Sequence, residues 1–216
     1  MSENTLRHIV VEGPIGVGKT SLAKRLAESF GYELLLERAD ENPFLERFYQ
    51  NPREAAFPTQ LYFLVQRAEQ LRALRQGDMF EPRRVADFLF DKDRVFAELN
   101  LDEHEFSLYM KVFNELSVEV PVPDLVIYLQ APVDVLLQRI AKRGVPYEQP
   151  MTSDYLERLS RAYIDFFYHF DRSPLLIVNC ADINLVDSEQ DYALLLERIR
   201  DIRSGRHYFN PAPINL

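Results

Sequence analysis

Four short apolar runs punctuate the chain: RHIVV at 7–11, YELLL at 32–36, DLVIYL at 124–129 and PLLIVN at 174–179. A weaker fifth, RRVAD, lies at 83–87. Their apolar positions are continuous rather than alternating, which predicts strands covered on both faces, as in a parallel sheet. Between them apolar residues recur at helical spacing. Residues 20–30 line up Leu22, Ala23, Leu26, Ala27 and Phe30, and Gly31 is a natural C-cap. Residues 56–76 form a longer helical pattern with Pro58 near its start. Residues 105–119, 132–143 and 153–170 also read as helices, and 189–203 closes the chain. Strand–helix alternation of this kind predicts an α/β fold with helices on both faces of a parallel sheet.

At 216 residues the chain fits one domain, spanning 1–216, with length enough to bury a core. A formal net charge of −9 argues against a nucleic-acid coat, so any anion site must be a local positive pocket in an acidic body. The single cysteine, Cys180, excludes an internal disulfide and, following LLIVN, reads as a small buried residue. The opening MSENTLRHIVV lacks the apolar core and cleavage site of a secretory signal. Runs such as LLIV are too short to cross a bilayer. The expectation is a soluble cytoplasmic protein that binds neither nucleic acid nor membrane.

EGPIGVGKTS, at 12–21, changes this picture most. Gly13, Gly18, Lys19 and Thr20 fit G-x-x-x-x-G-K-[ST], with a strand before and a helix after. Terminal phosphates carry dense negative charge and need several donors at once. Backbone N–H groups supply them where glycines (Gly13, Gly16, Gly18) leave the approach clear, and the helix N-terminus adds its dipole. Lys19 adds a full charge, and Thr20, or Ser21 beside it, offers a hydroxyl to Mg²⁺. The loop binds a nucleotide, but alone it does not separate a kinase from a GTPase or a motor ATPase. No N-K-x-D guanine reader is present, and a motor would normally be larger.

Further candidates sit at strand ends and on helix faces. Glu37 follows the second apolar run, at the carboxyl edge where open α/β sheets place ligands. It reads as the base for an alcohol, or as a solvated strand-end acid. Asp87 ends the third strand and reads as a Mg²⁺ or metal-water ligand, or as a helix cap. Gln60 and Arg67 are seven residues apart and share a helical face with Phe63, Leu64, Leu71 and Leu74. Polar groups inside an apolar stripe need partners: a planar base edge for Gln60 and an acid such as Asp93 for Arg67, or a purely structural pair. Arg139 and Arg143, four apart, can neutralise a transferring phosphoryl group, or form a solvated basic helix end.

Over roughly residues 7 to 180 these segments resemble the deoxynucleoside kinase family, in which ATP phosphorylates the 5′-hydroxyl of a deoxynucleoside. The phosphate loop, E...NPFLERFY, FPTQLYF, DFLFDKDRVFA, LLQRIAKRG...E and YLERL carry the likeness. The resemblance implies a P-loop nucleoside kinase fold with a five-stranded parallel sheet, a short lid at about 139–152, and a homodimer made through helices. It implies ATP and Mg²⁺ as cofactors and a small-molecule deoxynucleoside as substrate. By position, Glu37 matches the base, Gln60 the amide that reads the nucleobase, and Arg67 with Asp93 the pair lining the base pocket. Tyr49 matches the tyrosine on the sugar 3′-hydroxyl, Glu148, five residues after Arg143, the acidic partner of that tyrosine there, and Arg139 and Arg143 the lid arginines.

Two departures matter. The family usually has an arginine after the third-strand acid, but Phe88 follows Asp87. Arg38, directly after Glu37, is a candidate replacement for that charge. The lid segment RGVPYE lacks an arginine soon after Arg143. The expected activity is transfer of the ATP γ-phosphate to a deoxynucleoside, with a purine preferred. The alternative is a catalytically weak nucleotide-binding module of regulation or assembly. A nucleoside monophosphate kinase would need added cations for the acceptor phosphate, and no convincing set is present.

Overall fold

A computed structural model describes residues 6–76, 83–117 and 120–210, with the backbone alone at 74–76 and 117. The elements run β1 (His8–Glu12), α1 (Lys19–Phe30), β2 (Glu33–Leu35), α2 (Leu45–Gln50), α3 (Pro52–Gln76) and β3 (Arg84–Ala86). They continue with α4 (Asp93–Asn100), α5 (Glu103–Ser117), β4 (Leu125–Gln130), α6 (Val133–Arg143), α7 (Ser153–His169), β5 (Leu175–Asn179), α8 (Glu189–Asp201) and β6 (Arg206–Phe209). Among the described residues the sheet order is β2-β3-β1-β4-β5-β6, and every pairing is parallel. Ile9 of β1 lies between Val85 of β3 and Leu125 of β4. The chain therefore winds outward on one side of β1, returns, and builds β4 on the other. The loops at the carboxyl ends of these strands part there, and a crevice opens.

The expected parallel sheet with helices is present, with six strands rather than five. The sixth, β6, pairs with β5 in the register Leu175↔Arg206 to Val178↔Phe209. Its sequence, RHYF, alternates exposed and half-buried positions, because an edge strand packs on one face only. That pattern lacks the continuous apolar run of the inner strands. Arg206 also donates to the carbonyls of Phe167, Tyr168 and Phe170 and so closes the C-terminal end of α7. The opposite edge, β2, is shorter than its apolar run, and Glu33 and Leu34 are exposed.

Helix α3 starts at Pro52, four residues before the expected start, so Pro58 lies inside it. Pro58 forgoes one backbone bond there. Burial of Ala55 and Ala56 against Leu45 and Phe48 holds the added turn. Expected helices 105–119 and 56–76 run up to undescribed positions: 118–119, the side chain of Leu74 and residues 1–5 of the opening stretch lie outside the described residues. Helices α2 and α4, on quoted segments not read as helices, complete the wall around the crevice.

The main core surrounds β1, β4 and β5, where Tyr128, Tyr163 and Phe167 stack, with Tyr128 and Phe167 ring centroids 4.1 Å apart. A second apolar cluster joins α3, α4 and α5 through Leu64, Ala68, Leu71, Phe88, Phe90, Ala97, Tyr109 and Phe113. Replacing Phe167 with alanine removes the centre of the aromatic stack. Urea denaturation is expected to show a loss of about 3–5 kcal/mol, with the transition still cooperative.

Candidate active site

The loop between β1 and α1 turns back on itself so tightly that side chains cannot fit at two places. A Cβ on Gly13 would lie 2.5 Å from the Leu129 carbonyl oxygen. Gly16 has φ +84, and a Cβ there would lie 2.8 Å from Ile140 Cγ1 and 2.9 Å from the Leu136 oxygen. The loop thus lies directly on β4 and α6, with its backbone bare and Gly18 at the N-cap of α1. Lys19 Nζ donates to the loop's own carbonyls, Gly13 O at 2.8 Å and Pro14 O at 3.3 Å. Arg139, on α6, donates to Val17 O at 3.2 Å and Cys180 O at 3.0 Å, which fixes a second cation beside the loop. Cys180 itself is buried, and burial pushes its thiol up to about 12.

Asp87, after β3, ties this loop to the next strand. One carboxylate oxygen accepts from the Thr20 hydroxyl, and the other accepts from the Glu37 backbone N–H at 2.7 Å. Thr20 and Ser21 are exposed at the mouth. Thr20 and Asp87 together present hard oxygen donors, the chemistry that suits Mg²⁺. Among the described residues no group of three or more His, Cys, Asp or Glu side chains could hold a metal. A Mg²⁺ at this pair would therefore complete its shell with water and nucleotide oxygens, which is its usual habit.

The Glu37 side chain is 22 % exposed and faces two cations. Its Oε1 accepts from Arg67 Nε at 2.9 Å, from a second Arg67 nitrogen, and from Lys92 Nζ at 3.1 Å. Arg67 also pairs with Asp93, and its guanidinium lies 4.7 Å from the Phe63 ring centroid. Lys92 is 2 % exposed and reaches Glu12 at 3.6 Å. Glu12, fully buried, accepts from Gly13 N, Leu89 N and Tyr163 OH. Five buried or half-buried ionisable groups therefore run in one chain: Glu12, Lys92, Glu37, Arg67 and Asp93.

Charge in this chain is not evenly shared. Burial pushes Glu37 up, but Arg67, Lys92, the Arg67 hydrogen bond and Lys19 together hold it well below the usual carboxylate range. Burial opposes the Lys92 charge, yet Glu12 and Glu37 lift it above the ordinary lysine value. Asp93 goes the other way. Burial raises it to about 7, against the pull of Arg67 and Lys92 and with the support of Glu37 and Glu12. Its Oδ2 is buried without a partner. Three carboxyls face two cations here, and at Asp93 burial outweighs the pull of the cations.

A cavity of about 790 Å³ connects these parts. Gly16, Gly18, Lys19, Thr20 and Ser21 line one end, and Glu37, Gln60, Arg67 and Lys92 line the other. Asp87, Tyr49, Arg139, Arg143 and Glu148 complete its walls. Gln60 is buried on the same face of α3 as Arg67. Tyr49, from α2, stacks on Tyr147 with centroids 5.7 Å apart, and burial raises the Tyr49 phenol well above its ordinary pKa. Arg143, 47 % exposed, pairs with Glu148. These two contacts fasten the segment after α6 across the cavity.

Most of the expected residues line this one cavity. Gly13 lies against Leu129 and Asp93 pairs with Arg67, and neither is among its lining residues. Arg38 is exposed and pairs with Glu41 at 3.7 Å, so it does not replace the arginine absent after Asp87. Phe88 is buried in the α3–α5 cluster. Lys92 and Glu12, not singled out in the sequence, carry the buried charge instead. An acid directly before the phosphate loop and a lysine inside DFLFDKDRVFA were the available signals.

The deoxynucleoside kinase family profile matches residues 9–203. Deoxyguanosine kinase of Bacillus subtilis is 38 % identical over 165 residues, covering 74 % of this chain and 78 % of that protein. Deoxyadenosine/deoxycytidine kinase of the same organism is 28 % identical over 203 residues, covering 90 % and 92 %. The structure of deoxyadenosine kinase from M. mycoides with bound dCTP superposes with a TM-score of 0.77 at 25 % identity, covering 90 % of this chain and all of that one.

Asp93 supplies a test of the charge distribution. Because the folded chain binds its proton more tightly than the unfolded chain does, its contribution to stability declines as pH rises from about 4 to about 7. Carbon-detected NMR of the carboxyls is expected to show one buried group titrating near neutral pH. The signal should vanish in Asp93→Asn, whose stability should then fall less over the same pH range.

Proposed function

The chain belongs to the deoxynucleoside kinase family, and we propose that it transfers the γ-phosphate of ATP to the 5′-hydroxyl of a purine deoxynucleoside. The observation that carries this reading is that Glu37 and Lys19 face one cavity, with Asp87 bonded both to Thr20 and to the Glu37 backbone. The donor's cradle and the acceptor's carboxylate are thereby held in fixed relation.

In this reading the bare loop of Gly13, Gly16 and Gly18 receives the donor phosphates, with Ser21 at its mouth. Lys19 leaves the loop carbonyls to meet their charge. Arg139 and Arg143 approach from α6 and neutralise the charge spread over the transferring group. Thr20 and Asp87 would hold Mg²⁺, which when bound screens the phosphate oxygens. Gln60 pairs with the base edge, Arg67, held by Asp93, lines the base pocket, and Tyr49 and Glu148 meet the sugar. Glu37 accepts a hydrogen bond from the 5′-hydroxyl and aims its oxygen at the γ-phosphorus. The new O–P bond forms as the bond between the γ-phosphorus and the bridging oxygen to the β-phosphate breaks, and ADP departs. The hydroxyl proton passes to Glu37. A carboxylate held this acidic is a weak base. In a loose phosphoryl transition state the alcohol loses its proton late, so orientation contributes more than base strength.

Deoxyguanosine and deoxyadenosine kinases among the relatives support a purine substrate. The chain acts as a single kinase domain, with its lid at about 139–152, in the cytoplasm. Among the described residues no helix is long and apolar enough to cross a membrane. Exposed Ile164 and Tyr168 on α7 offer apolar surface for the homodimer. The buried position of Phe88 favours a second reading, a nucleotide-binding module with little turnover.

Labelled ATP and a panel of deoxynucleosides separate the two. Transfer to deoxyguanosine or deoxyadenosine is expected, and Glu37→Gln should lower kcat by roughly 10²–10⁴-fold. ATP binding without transfer to any nucleoside would favour the module, and full turnover by Glu37→Gln would remove the carboxylate from the mechanism.

A further inference from the structure

Lys92 has no part in the mechanism above, yet it is a buried ammonium on the wall of the reaction cavity. It ends the 3-10 turn Phe90–Lys92, directly before α4. A lysine placed there only to neutralise Glu12 would approach Glu12 most closely. The observed order is the reverse, with Nζ 3.1 Å from Glu37 Oε1 and 3.6 Å from Glu12 Oε2. Glu12 also has other donors, in Gly13 N, Leu89 N and Tyr163 OH. Each of the other cations near Glu37 has a further partner. Arg67 is shared with Asp93, and Lys19 rests on the carbonyls of its own loop.

We propose that Lys92 is a positioning residue for phosphate transfer: its ammonium pins the Glu37 carboxylate at the acceptor end of the cavity while Arg67 holds the same carboxylate oxygen from α3. The proposal rests on the kinase reading. Its chemistry follows from the groups around Glu37. Arg67 reaches it from α3 and Lys92 from the turn before α4, while Lys19, on α1, adds its charge from farther away. Asp87 holds its backbone from the end of β3. Asp93 stands behind Arg67, and Glu12 with Tyr163 stands behind Lys92. When a hydroxyl takes its place on Glu37, Arg67 stays anchored by Asp93, and Lys92, on a flexible stem, holds the carboxylate still.

The experiment compares wild type with Lys92→Met, Lys92→Arg and the double variant Glu12→Gln/Lys92→Met. The double variant keeps the buried charge balanced, so it separates folding from function. Transfer kinetics are measured with the best nucleoside from the panel. The Glu37 carboxyl is followed by carbon-detected NMR, which reads the contact whether or not phosphate moves. Lys92→Met, or the double variant where the single one does not fold, is expected to lose roughly 10–100-fold in kcat. The nucleoside KM should stay within about threefold. The Glu37 carboxyl carbon shift should move, because a donor has left its Oε1. Lys92→Arg should keep the wild-type carboxyl shift and most of kcat. A Glu37 carboxyl shift unchanged in a folded variant would overturn the proposal, as would wild-type kcat in the double variant. Absence of transfer in the wild type would instead sink the kinase reading, while the carboxyl shift still scores the Lys92–Glu37 contact.

Discussion

Glu12, Lys92, Glu37, Arg67 and Asp93 leave water together, and the rest of the site depends on how they share their charge. Removing isolated ions from water costs several kcal/mol each. That cost is tolerable here because each charge faces an opposite one, and backbone N–H groups and the Tyr163 hydroxyl take up the remaining lone pairs of Glu12. The chain of contacts starts in β1, passes through the turn before α4 and the loop after β2, and ends on α3 and α4. It therefore joins the sheet to the helices that wall the cavity. A shift in any member changes the field at Glu37.

A second link joins this network to the phosphate loop. Asp87 bonds the Thr20 hydroxyl with one oxygen and the Glu37 backbone with the other. Group transfer between two bound molecules requires the two binding ends to keep a fixed spacing. Here one carboxylate spans from the first helix to the loop after β2. The parallel sheet makes that possible, since it delivers Glu12, Glu37 and Asp87 to neighbouring strand ends on one edge. The lid segment closes the far side by different means, through the stack of Tyr49 on Tyr147 and the Arg143–Glu148 pair.

Much of this was legible before any coordinates. The inner strands announce themselves because burial on both faces demands unbroken apolar runs, as in HIVVE and LVIYLQ. The phosphate loop is legible because its glycines answer a steric demand that few other residues meet. The α3 face carrying Gln60 and Arg67 follows from helical periodicity. The edge strand β6 was not legible, because RHYF packs on one side only and alternates. The start of α3 was misplaced because Pro58 looks like a beginning, whereas packing of Ala55 and Ala56 carries the helix through it.

The sequence by itself determined the class of fold, the nucleotide cradle and the acidic and basic groups near it, because each follows from local spacing. It did not determine which cation faces Glu37. Arg38 is adjacent in the chain but points to solvent beside Glu41. Lys92 is 55 residues away and makes the contact. Likewise Phe88, next to Asp87, turns into the α3–α5 cluster. Successive residues beyond a strand end diverge toward different layers, so partners across the cavity are chosen by how the helices pack on the sheet. That choice belongs to the tertiary structure alone.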